Sequence, residues 1–196
     1  MKRDIILAGV GGQGIISIAA IIGYAALQEG LFLKQSEVHG MSQRGGDVSS
    51  NLRISDKEIA SDLIPFGKAD CIISIEPLES LRYLPYLSPD GWVITNTKPF
   101  INIPNYPEID KILAEIYSLP HHIALDAEII AKEAGTSRAA NTVILGAASP
   151  FLEMAYEKLE NAIRYIFRNK GDKIIQTNLV ALKAGKVFAE EHMVKK

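Results

Sequence analysis

Asp4-Ile5-Ile6-Leu7-Ala8-Gly9-Val10-Gly11-Gly12-Gln13-Gly14 runs directly into Ile15-Ile16-Ser17-Ile18-Ala19-Ala20. An apolar run ends in glycines, and a long apolar segment without proline follows at once. The pattern predicts a buried strand, a tight turn and a helix. Gly9, Gly11 and Gly14 satisfy G-x-G-x-x-G in the place where that spacing has meaning, between strand and helix. Residues without a Cβ let the backbone turn sharply and approach a ligand closely. The free N–H groups at the start of the helix then face any bound phosphate. Gly9, Gly11, Gly12, Gln13 and Gly14 are therefore candidate cofactor-binding residues. The same glycines would also serve a turn that only lets helix and strand pack closely, with no ligand.

Outward from this turn, the first helix is expected over about Ile15 to Glu29, with Gly30 as its C-terminal cap. Its apolar residues go nearly all the way round, which predicts packing beyond a single sheet face. Leu31 to Gln35 reads as a second strand. The polar stretch from Ser36 to Gly46 has no period and reads as a loop. Val48, Ser50, Leu52 and Ile54 alternate with polar neighbours, a strand with one wet face and a candidate for antiparallel pairing. Ala69–Ile75 is a continuous apolar strand, followed by a short helix at about Leu78 to Leu84 and a strand at Trp92–Thr95. Pro107 opens a helix with Ile109, Ile112, Leu113 and Ile116 on one face. His121–Leu125 is the last strand, and Ala127–Ala134 is a helix closed by Gly135. From Arg138 onward only helices are expected. One begins at Ser149-Pro150 and runs to about Gly171, and one spans about Lys173 to Glu191. The expected fold class is α/β: a doubly wound, mostly parallel, Rossmann-like sheet with a C-terminal helical extension. A single domain over 1–196 divides into a core at 1–135 and the extension at 136–196.

The 196 residues are enough for a sizeable core, and 47% hydrophobic with 22% charged residues is ordinary for a globular chain. A net charge of -2 and no basic block argue against nucleic acid. No apolar run approaches the roughly 20 residues of a membrane span. Lys2 and Arg3 precede the first strand with no room for a signal peptide, so a cytoplasmic location is expected. Cys71 is the only cysteine, which excludes an internal disulfide and a cluster ligated by this chain alone. His39 and His192 stand apart, and the adjacent His121 and His122 point to opposite faces of a strand, so no metal site is expected.

Several residues outside the turn carry possible chemistry. Glu37 lies at about the distance where a dinucleotide-binding unit places its ribose acid. The loop after it, His39-Gly40-Met41-Ser42-Gln43-Arg44-Gly45-Gly46, combines glycines with the donors Ser42, Gln43 and Arg44. An arginine there can fork onto a phosphate or carboxylate, or simply be solvated. No carboxylate–histidine–nucleophile set can be assembled around His39. Asn141 interrupts an apolar run and needs partners, from the backbone or from a ligand. Glu76 follows a strand at the edge where open α/β sheets bind ligands, and equally fits a helix N-terminus.

Taken together, Gly9 to Gly14, Glu37 to Gly46 and Asn141-Thr142-Val143-Ile144-Leu145-Gly146 resemble the gamma-type subunits of 2-oxoacid:ferredoxin oxidoreductases. The likeness is nearest to the small subunits of the indolepyruvate members. It spans most of the chain, and the His-Gly-Met-Ser-Gln-Arg-Gly-Gly run is its most specific part. The resemblance implies a part in oxidative decarboxylation of an aryl pyruvate to an acyl-coenzyme A, with electrons passed to ferredoxin. It further implies that thiamine diphosphate and the iron–sulfur clusters sit on a large partner subunit. Coenzyme A would be contacted here, with Glu37, Ser42, Arg44, Gly45 and Asn141 joining the glycine turn. Two other readings share the turn. A stand-alone NAD(P)-dependent reductase should also carry a proton donor and a substrate domain, and neither is visible. A structural or ligand-sensing subunit would leave the turn empty.

Overall fold

The computed structural model describes residues 1–40 and 45–193. Six strands form one sheet in the order β2-β3-β1-β4-β5-β6. The strands are β1 (Lys2–Val10), β2 (Phe32–His39), β3 (Asp47–Ser55), β4 (Ala69–Ser74), β5 (Leu87–Asn96) and β6 (His122–Leu125). β1, β4, β5 and β6 pair in parallel, while β3 runs antiparallel to both β1 and β2. The sheet is thus mostly parallel with an antiparallel edge. β2 is longer than the sequence pattern indicates, because Ser36 to His39 pair with Asn51 to Val48 although three of the four are polar. An edge strand satisfies its backbone on one side only and needs no apolar alternation to persist.

Both sheet faces are covered. Odd-numbered residues of β1 and β4 (Ile5, Leu7, Cys71, Ile73) enter the larger core under α1 (Ile15–Gln28) and the C-terminal helices. Ile6, Ile72 and Val93 enter a smaller core with Ile64, Tyr83 and Leu84, on the side of α2 (Pro77–Arg82). The alternation is the period-2 geometry of a strand buried on two faces. α3 (Ile109–Ser118) buries Ile112 and Ile116, as its pattern predicts.

α4 (Ala127–Glu133), α5 (Ala140–Ala148), α6 (Tyr156–Ile166) and α7 (Asp172–Met193) complete the larger face. The near all-round burial of α1 is met inside the chain: its outer side packs on α5 and α6, with Tyr24 stacked on Tyr165 at 4.2 Å. Only a narrow stripe, including Ile16 and Leu27, stays exposed. The helix expected from Pro150 to Gly171 is broken. Ser149–Phe151 is one 3-10 turn, Glu153 takes φ 51°, and α6 begins only at Tyr156. A left-handed residue cannot sit inside an α-helix. Its position is not signalled by composition, because Glu153 is an ordinary helix former.

α5 and α7 approach backbone to backbone. A Cβ on Gly146 would overlap the carbonyl of Leu182, and one on Gly185 would overlap that of Val143. Beside this contact Thr142 donates its hydroxyl to Asn178 at 2.7 Å, and both residues are buried. Among the described residues no helix is long and apolar enough to cross a membrane.

Candidate functional site

The glycine turn leaves the C-terminal end of β1, where α1 departs to one face and the neighbouring strand β4 sends α2 to the other. Such a divergence opens a crevice at the sheet edge. Gly12 and Gly14 adopt φ 98° and 88°, which explains why glycine stands at both. Gly9 is needed for a different reason: a Cβ there would meet Gln13 Oε1 and Ile15 Cδ1, each at 2.9 Å. Gln13 turns back on the strand, its Oε1 accepting from the Val10 amide at 2.7 Å. Gly11 donates to the carbonyl of Gly46 at 2.9 Å, fastening the residue just before β3 to the turn.

The amides of Gly12, Gly14, Ile15 and Ile16 have no acceptor among the described residues. Those of Gly14, Ile15 and Ile16 are unpaired donors of the kind any helix start presents, and that of Gly12 belongs to the turn ahead of it. Gly12, Gln13 and Gly14 line a cavity of about 350 Å³ with Asn96, Arg138 and Asn141. A Cβ on Gly12 would meet nothing within 4 Å, so that face of the turn is open. Asn141 lies against the turn: its Nδ2 makes a long 3.4 Å contact to the Gly14 carbonyl, and its Oδ1 accepts from the Thr142 amide at 2.9 Å. A Cβ on Gly14 would fall 2.5 Å from Asn141 Nδ2.

The structure therefore brings Gly9, Gly11, Gly12, Gln13, Gly14 and Asn141 together. Gly45, at φ 76°, sits close by and accepts from Asn102 Nδ2 at 2.5 Å. Ser42 and Arg44 lie outside the described residues. Glu37 is elsewhere. It pairs with Ser50, which pairs with Leu7, so β3 stands between it and the first strand. A ribose-binding acid in a dinucleotide unit takes the strand next to the first, and Glu37 does not hold that place. It instead lies 2.5 Å from His39 Nε2 through its Oε1 and accepts from Gln35 at 3.4 Å.

Arg138 was not singled out by sequence pattern. It enters the site because Gly135 ends α4 and a 3-10 turn, Ser137–Ala139, carries the chain back past the turn. A lone cation at the head of an apolar run gives no periodic signal. The available cue was its position just ahead of Asn141.

Glu76 caps α2. Its Oε2 accepts from the Glu79 amide at 2.9 Å, and its Oε1 accepts from the Phe100 amide at 3.3 Å and from the Tyr106 hydroxyl. Burial pushes the Tyr106 phenol far up, and the bond to the Glu76 carboxylate pushes it the same way. Glu76 is thus a buried staple that ties the segment after β5 to the sheet edge. Glu76→Ala strands three donors and should destabilise the chain by about 3 kcal/mol, whereas Glu76→Gln, which keeps an acceptor, should lose about half of that. Urea unfolding of the two variants measures the difference.

Cys71 is fully buried, and burial pushes its thiol up to about 12, with Asp70 adding to the effect. It offers no thiolate to a metal. No group of three or more possible metal ligands occurs among the described residues.

An α/β domain with a glycine turn opening at the edge of a mostly parallel sheet is a class built to hold ligands at that edge. Residues 4–187 match the family described as Pyruvate ferredoxin/flavodoxin oxidoreductase, and the chain belongs to it. The indolepyruvate oxidoreductase subunit IorB of Archaeoglobus fulgidus is 39% identical over 194 residues, 94% of either chain. That of Thermococcus kodakarensis is 38% identical over 201 residues, 97% of either chain. Among solved structures, the 2-oxoglutarate:ferredoxin oxidoreductase of Magnetococcus marinus, with 2-oxoglutarate, coenzyme A and succinyl-CoA bound, superposes with a TM-score of 0.76 at 22% identity. That match covers 97% of this chain and spans 31% of the other. The keto/oxoacid ferredoxin oxidoreductase gamma subunit of Geobacter sulfurreducens gives 0.71 at 23%, over 96% of this chain and 99% of that one. The resemblance read from the three motifs is the family the whole chain belongs to.

Proposed function

We propose that this chain is the small, gamma-type subunit of a cytoplasmic indolepyruvate ferredoxin oxidoreductase, a single domain with its core at 1–135 and helices over 136–196. The reaction is oxidative decarboxylation of an aryl pyruvate with coenzyme A to an arylacetyl-coenzyme A and carbon dioxide, the two electrons passing to ferredoxin. The observation that carries this reading is the identity of 37–39% to indolepyruvate oxidoreductase subunits over nearly the full length of both chains.

Thiamine diphosphate and iron–sulfur clusters, which supply decarboxylation and electron transfer, are assigned to a large partner subunit. A cluster does not fit this chain, whose one cysteine is buried and protonated. The part left to this chain is binding. The open amides of Gly12 and Gly14 and the positive end of α1 suit the pyrophosphate of coenzyme A. Gly9 and Gln13 shape the turn, Asn141 braces it, and Gly11 holds Gly46 against it. Ser42, Arg44 and Gly45 add further donors to the binding set, and Glu37 with His39 precedes them in the sequence.

The test is reconstitution with the large chain and an assay of ferredoxin reduction dependent on indolepyruvate and coenzyme A. Activity is expected only with both chains present. Ferredoxin reduction by this chain alone, or NAD(P)H oxidation by it, would overturn the assignment.

A further inference from the structure

β2 stands at one edge of the sheet, and among the described residues no strand pairs with its outer side. A free edge is a template for another chain, and proteins usually blunt it with proline, a bulge, shortness or charge. β2 has little of this protection. Its eight residues pair with β3 without a register shift, and none of them is proline. Its one lysine is Lys34. Phe32 and Val38 are 49% and 58% exposed, and both are even-numbered, so they stand on one face of the strand. The other edge strand, β6, has only four residues.

The phase of the hydrogen bonds fixes which backbone groups face outward. Gly40 donates to the Asp47 carbonyl at 2.8 Å, and Asp56 donates to that of Met1 at 3.1 Å. Antiparallel strands alternate bonded and unbonded residue pairs. The even-numbered residues of β2 therefore turn their N–H and C=O groups to β3, and Leu33, Gln35 and Glu37 turn theirs outward.

A second copy of the strand fits this edge in few registers. Opposed side chains must share a sheet face, so a two-fold axis has to set one residue opposite itself. An axis at Lys34 opposes two ammonium groups and one at Glu37 opposes two carboxylates, both unfavourable. An axis at Ser36 leaves Phe32 opposite Gly40 and Lys34 opposite Val38. Axes nearer either end leave most of the strand unpaired. An axis at Gln35 sets Phe32 of each copy opposite Val38 of the other, in the unbonded pairs where side chains come closest. It also sets Leu33 opposite Glu37 and Lys34 opposite Ser36, with no like charges opposed. Each Lys34 Nζ is held by its own Ala60 carbonyl at 3.3 Å.

We infer that β2 is a self-association edge, at which two copies of this chain pair antiparallel strands about a two-fold axis at Gln35 and make one continuous sheet. The occupant is a second copy because the strand complements itself: its exposed apolar ends fall on each other and its charges do not. β3 lies between β2 and β1, so the joined sheet extends away from the strand that carries the glycine turn. The pairing does not depend on which ligand that turn holds.

The test is a symmetric disulfide in the reassembled two-subunit complex. Opposed residues of a bonded pair have Cα atoms about 5.5 Å apart, within disulfide range, whereas residues two positions out of register lie beyond it. Oxidation of Gln35→Cys should therefore link two small chains, and oxidation of Ser36→Cys should not. The natural Cys71 is buried and takes no part. Sedimentation equilibrium of the full chain supplies a second measurement, in which the wild type should be dimeric. Phe32→Lys loses both apolar pairs of each dimer and should weaken association by about 2- to 30-fold, the range for two cross-strand pairs. Phe32→Tyr keeps the ring and should associate like the wild type. A wild type that sediments as a monomer would overturn the inference, as would an unlinked Gln35→Cys or one that links to the large chain instead. A disulfide formed through Ser36→Cys in place of Gln35→Cys would overturn the assigned axis.

Discussion

Gly185→Ala should destabilise the chain by about 3 kcal/mol and lower its Tm by about 6–12 °C. Gly146→Ala should do the same. Helix propensity alone predicts the opposite sign, since alanine in place of an interior helical glycine stabilises by roughly 1 kcal/mol. Steric overlap decides the outcome here. Each added methyl would land on a backbone carbonyl of the facing helix, Val143 for position 185 and Leu182 for position 146. A carbonyl in a helix cannot rotate away without breaking its own hydrogen bond, so α5 and α7 must separate. Separation opens voids around Leu145, Leu179 and Leu182, and stretches the buried Thr142–Asn178 hydrogen bond. Gly23→Ala in α1 is the internal control. Its methyl would meet only Leu33 Cδ2, the far end of a flexible side chain, at 2.9 Å. That variant should stay within about 1 kcal/mol of the wild type. Chemical unfolding of the three variants under one set of conditions separates close helix approach from propensity. A stabilised Gly185→Ala would show that the two helices can move apart freely.

The same two glycines show what the sequence could and could not carry. Strands β1 and β4, helix α3 and the glycine turn were legible, because each is a local pattern: a period of 2, a period of 3.6, or an apolar run cut by glycines. Gly146 closes the Asn141–Gly146 run, and its importance comes from Leu182, more than thirty positions away, which no local pattern reveals. The break at Glu153 was invisible for a related reason, since only tertiary packing forces a glutamate to φ 51°. Glu37 misled through counting. Its distance in sequence from the turn fits a ribose-binding acid, but the count assumes that the second strand lies beside the first. Here β3 is inserted between them by two antiparallel pairings, and the same spacing lands elsewhere. Arg138 illustrates the converse. It has no pattern of its own, and only the 3-10 turn after α4 carries it to the cavity at the glycine turn.

Gly12→Val in the reassembled complex should raise the KM for coenzyme A by about 10- to 150-fold, the equivalent of losing one charge-assisted hydrogen bond of roughly 1.5–3 kcal/mol. Two effects of the substitution must be separated. Valine at φ 98° strains the turn, because a β-branched residue disfavours positive φ. Its side chain would also project into the open space over the free amides, where a Cβ at this position meets no protein atom within 4 Å. Gly30→Val provides the control for strain. Gly30 follows α1 at φ 71°, a Cβ there likewise meets nothing, and it lies at the opposite end of the helix from the turn. It should lose stability as Gly12→Val does, while the coenzyme A KM stays at the wild-type value. Gly14→Ala is less informative, because its methyl would displace Asn141 and so disturb the brace as well as the ligand. Steady-state kinetics on complexes matched for assembly gives the result. Equal KM values for Gly12→Val and Gly30→Val would mean that the open amides of the turn do not face coenzyme A, and that its glycines serve close packing of α1 on β1.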